Sequence, residues 1–167
     1  NLAAAVRIGD RTGGATGTCL TAWDNTDCLT TWNPNVSGWG VVSIAVDTTY
    51  TYLAGAFSSV GGQTHNAFAK VTSSTGAVQS WNPAADSEGR AVAIDNGLVY
   101  LGGGFSTFSG ESRKMAVAVD IATDTLTSWN PTFSGSWVNA ISILNNNVYM
   151  AGQFQMVGGV GRNHAAA

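Results

Sequence analysis

Beyond the first Trp-Asn-Pro triplet, short runs of apolar and β-branched residues alternate with clusters of Gly, Asn, Asp, Ser and Thr. Val41-Val42-Ser43-Ile44-Ala45-Val46 alternates enough to predict a strand, and Asp47-Thr48-Thr49 a turn. A second strand is predicted over Tyr50-Thr51-Tyr52-Leu53-Ala54-Gly55-Ala56-Phe57, closed by Gly61-Gly62. Ala67-Phe68-Ala69-Lys70-Val71 is a third run, and Ser73-Ser74-Thr75-Gly76 a strong turn signal. The fourth run, Ala77-Val78-Gln79-Ser80-Trp81, ends at Asn82-Pro83, where proline removes no donor from the middle of a ladder. Four short strands in about 50 residues predict one antiparallel meander.

The plan then recurs. Residues 91–94, 98–105, 116–119 and 125–129 are the next four runs, with Asp95-Asn96-Gly97 supplying tight-hairpin chemistry between the first two. In a third copy, 138–144 pairs through Asn145-Asn146-Asn147 with 148–154. The strongest repeated signature is Tyr52, Gly55, Phe57, Val60 and Gly62, which return as Tyr100, Gly103, Phe105, Phe108 and Gly110, then as Tyr149, Gly152, Phe154, Val157 and Gly159. Trp32-Asn33-Pro34, Trp81-Asn82-Pro83 and Trp129-Asn130-Pro131 keep the same beat, so two independent signals share a spacing of 48 to 49 residues. A meander at this spacing predicts an all-β fold, a segment of a β-propeller with four-stranded antiparallel blades. Parallel β-helices have shorter coils, and leucine-rich solenoids would show Leu every few residues. One meander cannot bury both faces, so the repeated Trp, Tyr and Phe are expected to fill the space between stacked blades. Trp32, Trp81 and Trp129 should be buried alike, as should Phe57, Phe105 and Phe154.

The pattern Tyr-Leu/Met-x-Gly-x-Phe-x-x-Val-x-Gly, followed by Asn-x-x-Ala and Thr-Gly-x-Val-x-x-Trp-Asn-Pro, resembles the delta-60 type of bacterial β-propeller repeat. Members of that family are largely domains of unknown function in large secreted or surface-attached proteins, and similar repeats occur in a fungal cell-surface polarity marker. The resemblance spans almost the whole chain apart from about residues 11–26. It implies an extracellular propeller and carries no catalytic residues to transfer.

The phase of the repeat divides the chain into closing strands of one blade (1–34), two blades (35–83 and 84–131) and the opening strands of another (132–167). Asn1-Leu2-Ala3-Ala4-Ala5-Val6 and Asn163-His164-Ala165-Ala166-Ala167 both match the phase of Asn66-Ala67-Phe68-Ala69. The expectation is therefore a fragment of a longer chain, with a face bearing Tyr149 and Phe154 left for further blades of the parent or for copies of this one. Relative to the span from Asn66 to Trp81, the span from Asn1 to Trp32 is longer by 16 residues, and the excess holds Cys19 and Cys28.

Only 10% of the 167 residues are Asp, Glu, Lys or Arg, and the net charge is −3, with Ser, Thr, Asn and Gly filling the polar positions. Such a chain lacks the basic face that nucleic acid or an anionic membrane requires. No run reaches the roughly 18 apolar residues needed to cross a bilayer, and no signal-peptide pattern is present. Low charge and two cysteines within one loop favour an oxidising compartment, secreted or at the cell surface, and a disulfide between Cys19 and Cys28. Two free thiols in a reducing compartment are the other reading. Their spacing fits no zinc or redox motif.

Chemistry-bearing constellations are sparse. His65 and His164 occupy nearly equivalent places before the third strand without further ligands nearby, which reads as two surface-loop histidines and no metal site. Gly102-Gly103-Gly104 precedes neither a helix pattern nor a lysine, so turns and close contacts between blades explain it better than a phosphate cradle. Asp10, Asp24, Asp27 and Asp124 lie near turns, but the ligand alternation and terminal Glu of a calcium loop are missing. No cofactor is expected, and no base stands ready beside a serine, so no catalytic residues are assigned. The best ligand-binding candidates are Trp39, Arg90 and Trp137, which fall in roughly corresponding places after each Trp-Asn-Pro and could stack on sugar rings. Packing between blades is the competing role. The leading expectation is a non-enzymatic structural or adhesive module; the alternative is a lectin-like propeller that binds glycans.

Overall fold

The computed structural model describes residues 6–7 and 28–167, and every regular element among them is a β-strand. The elements are β1 (Val6–Arg7), β2 (Cys28–Leu29), β3 (Val36–Val46), β4 (Tyr50–Val60), β5 (Gln63–Thr64), β6 (Phe68–Thr72), β7 (Gly89–Asp95), β8 (Leu98–Gly103), β9 (Thr107–Phe108), β10 (Glu111–Ser112), β11 (Ala116–Asp120), β12 (Phe133–Leu144), β13 (Asn147–Val157), β14 (Val160–Gly161) and β15 (Ala165–Ala166). All pairings are antiparallel. Three principal sheets follow one another: β3-β4-β6 with β5 on the end of β4, then β7-β8-β11, then β12-β13-β15 with β14 on the end of β13. Strands β1 and β2 form a separate pair, as do β9 and β10.

The turns obey the chemistry of their residues. Asn96 and Gly97 take consecutive positive φ angles of 46° and 76°, as a tight hairpin requires, and Asn145 and Asn146 do the same at 51° and 62°. At the corresponding turn of the first sheet the Asp47 carboxylate instead accepts from the amides of Thr49 and Tyr50, both at 2.6 Å. The expected fourth strands are a correction: residues 77–81 and 125–129 contribute only the single bridges Val78 to Val71 and Leu126 to Val119. Glycine or aspartate at positive φ turns the chain just before them (Gly76 77°, Asp124 58°), and the run to the Trp then leaves the sheet to reach the next joint.

A bulge shapes each first strand. Register shifts occur between Val41 and Ser43, Gly89 and Ala91, and Val138 and Ala140, so Val42, Arg90 and Asn139 are the extra residues of three equivalent bulges. Beside each bulge the partner strand carries the repeated glycine. A Cβ on Gly55, Gly103 or Gly152 would lie 2.1, 2.3 or 2.1 Å from the carbonyl oxygen of Gly40, Glu88 or Trp137. This first glycine of the signature is thus dictated by backbone approach, and the second, Gly62, Gly110 or Gly159, by its positive φ.

The first strands of successive sheets touch, β3 against β7 and β7 against β12. In the first joint Tyr52 and Ala54 of β4 pack with Val92, Val99 and Leu101 of the second sheet. In the second joint Val138 and Ile141 of β12 close so tightly on β8 that a Cβ at Gly102 would lie 2.7 Å from Val138 Cγ1. Small residues on the second strand of one sheet therefore receive branched residues from the next. Each fully buried Leu, Val or Phe in these joints contributes about 1.5–3 kcal/mol. Phe57, Phe105 and Phe154 are all buried. Phe154 accordingly does not lie on an open face, as the sequence suggested; only Tyr149 does, at 43% exposure. Trp32 and Trp81 are buried while Trp129 is half-buried, so the three indoles are not alike. Trp81 sits edge-on to Tyr52 and Trp129 to Tyr100, with centroids 5.9 and 5.4 Å apart, each indole meeting the tyrosine of the preceding sheet.

Candidate functional site

The bulge residues Val42, Arg90 and Asn139 set an apolar, a cationic and an amide side chain in one row. Together with Glu88 and Gly89 they line one pocket of about 330 Å³. A bulge residue has no partner across the ladder, which releases its side chain to reach along the row. Arg90 uses that freedom fully. Its Nε donates to Glu88 Oε1 at 3.0 Å, its Nη2 forms a tighter contact with the same oxygen, and its Nη1 donates to Asn139 Oδ1 at 3.3 Å. The guanidinium carbon lies 3.9 Å from the ring centre of Trp137, a cation–π stack.

Two of the three expected binding residues therefore meet, but not as equivalents. The strand register aligns Trp137 with Gly40, and Trp39 with Ser136. Their distances from Pro34, Pro83 and Pro131 are five, seven and six residues, so the match between them is only approximate. Trp137 is also unavailable as a stacking platform: Arg90 covers its ring, and its edge presses on Gly104, where a Cβ would lie 2.0 Å from the indole. It packs between sheets. Trp39 does the opposite, standing 95% exposed on the first sheet.

A second polar cluster was not anticipated. Lys70, buried in the first sheet, forms an ion pair with Asp124 from the turn after β11, and its ammonium lies 4.7 Å from the Tyr50 ring centre. Its signal was present as a departure from the repeat. Asp124 takes the place of Gly76 at the same turn, and Lys70 the place of Ala118 on the third strand. Nearby, the Tyr52 hydroxyl is buried without a hydrogen bond. Burial, with lesser repulsion from Asp47 and Asp124, raises its pKa far above the ordinary phenol value.

The histidines part ways. His65 is buried at 2% exposure, contrary to the surface-loop expectation, and its Nδ1 has no partner. Burial lowers its pKa from the usual imidazole value. Its backbone equivalents are Arg113 and Arg162, each donating its amide to the strand across, as His65 does to Ser58. His164 is exposed beside the Gly152 carbonyl. For Asp86, burial raises the pKa, but hydrogen bonds from the amides of Thr107 and Ser106 outweigh it and leave the carboxyl below its usual range. This carboxylate caps the strand end that pairs by backbone in the first and third sheets.

Among the described residues no group of three His, Cys, Asp or Glu side chains is placed to hold a metal ion. Cys19, Asp10, Asp24 and Asp27 lie outside the described residues, and of Cys28 only the backbone, in β2, is described. The Cys19–Cys28 disulfide therefore rests on the sequence alone. No helix among the described residues is long and apolar enough to cross a membrane. In comparisons with known proteins, no family model and no curated protein matches this chain.

Proposed function

We propose that this chain is an extracellular β-propeller segment whose three sheets are successive blades, and that it serves as a non-catalytic structural or adhesive scaffold. The observation that carries this reading is the recurrence of one joint. Twice, 48 residues apart, a tyrosine and a small residue on one sheet receive branched side chains from the first strand of the next. Contact between consecutive first strands is what radial packing of blades around an axis would produce. The charged side chains Lys70, Asp124 and Arg90 are engaged across the joints between sheets, and Glu88 holds Arg90 in place. The low charge, the Cys19–Cys28 pair and the resemblance to delta-60 repeats support secretion or surface display.

One observation favours a second reading, a glycan-binding module: the 95% exposed indole of Trp39 has the flat amphipathic form that stacks on sugars. Retention of the full chain and its Trp39→Ala variant on insoluble polysaccharides and glycan arrays distinguishes the two. The scaffold reading expects no retention that depends on Trp39. Retention lost on removing this indole would replace it with the lectin reading.

A further inference from the structure

We infer that the open face of the third sheet docks the open face of the first sheet of a second copy of this chain, building a head-to-tail assembly. The inference rests on the scaffold reading, and its warrant is that the molecule twice displays the joint it would form.

On the second strand of each sheet, a Tyr and the residue two places on point toward the next sheet: Tyr52 and Ala54, Tyr100 and Gly102, Tyr149 and Ala151. In the first sheet this pair is covered, at 1% and 0% exposure, by the second. In the third sheet Tyr149 is 43% exposed, and with Ala151, Ala140 and Ser142 it lines an open pocket of about 560 Å³. This is the small-residue side of a joint on which none of the described residues is seated.

On the branched side, at the other end, the first-strand row of β3 is open, although Leu53, Val71 and Trp32 on the same face are already buried. Val92 and Ile94 pack back onto the first sheet, and Ile141 holds the register of Val92 in the third. Their counterparts in β3, Ile44 and Val46, are 52% and 59% exposed, flanked by Val42 at 64% and Trp39 at 95%. A contiguous row of this kind is unusual on a surface that meets only water. Seating Ile44 and Val46 over Ala140, Ser142 and Ala151 repeats the internal joint. It would also bring Trp32 toward Tyr149, as Trp81 meets Tyr52 and Trp129 meets Tyr100. The faces are different surfaces, so the contact is heterologous and propagates to a ring or a filament rather than stopping at a symmetric dimer.

Sedimentation velocity on the full chain from about 1 to 100 µM, the range where weak specific contacts register, is the test. The wild type is expected to form species larger than the monomer. Ile44→Glu and Ala151→Glu, each placing a charge at one half of the joint, should be monomeric, with association weakened more than about a hundredfold. Circular dichroism should show both folded, since both sites are exposed; should either unfold, Val46→Glu or Ser142→Glu takes its place. An equimolar mixture of the two variants retains one intact face of each kind and should give a 1:1 dimer and nothing larger. A monomeric wild type at the highest concentration, or variants that assemble like the wild type, would overturn the inference. Neither result bears on polysaccharide retention, so the scaffold reading is judged separately.

Discussion

Lys70 Nζ lies 2.5 Å from both carboxylate oxygens of Asp124, tying the third strand of the first sheet to the turn beyond the third strand of the second. The partners are unequally buried, with side-chain exposures of 6% and 36%. Removing one is therefore not equivalent to removing the other. Asp124→Asn, which keeps a residue tolerant of the positive φ, leaves a buried ammonium without its counter-charge and should cost about 3 kcal/mol. Lys70→Met leaves a carboxylate that water reaches, and should stay within about 1 kcal/mol of the wild type. Denaturant titrations of the two variants check the asymmetry; equal losses would mean that the pair is not what Lys70 is buried for.

Gly55 and Gly97 separate two uses of glycine. Gly55→Ala drives a methyl group into the Gly40 carbonyl and forces the first two strands apart at the bulge, for about 3 kcal/mol. Gly97 faces open space at positive φ, so Gly97→Ala meets only the conformational penalty, about 1 kcal/mol. Thermal melts should rank Gly55→Ala well below Gly97→Ala.

His65 makes stability depend on pH in a defined window. Its folded-state pKa lies below the unfolded value of about 6.5, so between those two values the unfolded chain binds more protons. Stability is therefore full above about pH 6.5 and declines as pH falls toward the folded-state value. Asp86 and Asp120, whose pKa values are depressed, lose their contributions only at lower pH, through the carboxylate range. Melting temperatures measured from pH 7.5 to pH 4.5 should fall for the wild type and flatten in His65→Gln. A profile unchanged by the substitution would place the transition elsewhere.

Cys19 and Cys28 are expected to be joined within one chain. Intact mass should rise by two hydrogens on reduction with no change in oligomeric state. Because the loop is short and set within one insertion, the melting temperature should shift less than on loss of a core aromatic.

The sequence disclosed the periodicity, the hairpins and most of the core, because these follow from local chemistry: apolar alternation, Asn-Gly turns and the spacing of Tyr, Phe and Trp. It misaligned Trp39, Arg90 and Trp137, because they stand five, seven and six residues after their prolines and only the strand register shows that offsets of one residue put a bulge residue and an indole in different roles. It missed the burial of His65, since the residue sits among polar neighbours in sequence and is covered only in three dimensions. The Lys70–Asp124 pair was visible only as two breaks in the repeat, and nothing local says that breaks 54 residues apart are partners.

The two joints, alike in their apolar packing, carry different polar fastenings. Lys70–Asp124 and Ser43–Val92 belong to the first, Arg90–Asn139 and Asn96–Asn146 to the second. Repeats built on one plan face a hazard during folding, since each sheet can mistake another for its proper neighbour. Placing the third sheet on the first would separate Lys70 from Asp124 and leave Arg90 without its indole. Sequence divergence at these few positions thus encodes the order in which the sheets stack, and a chain made of perfected repeats would lose that instruction.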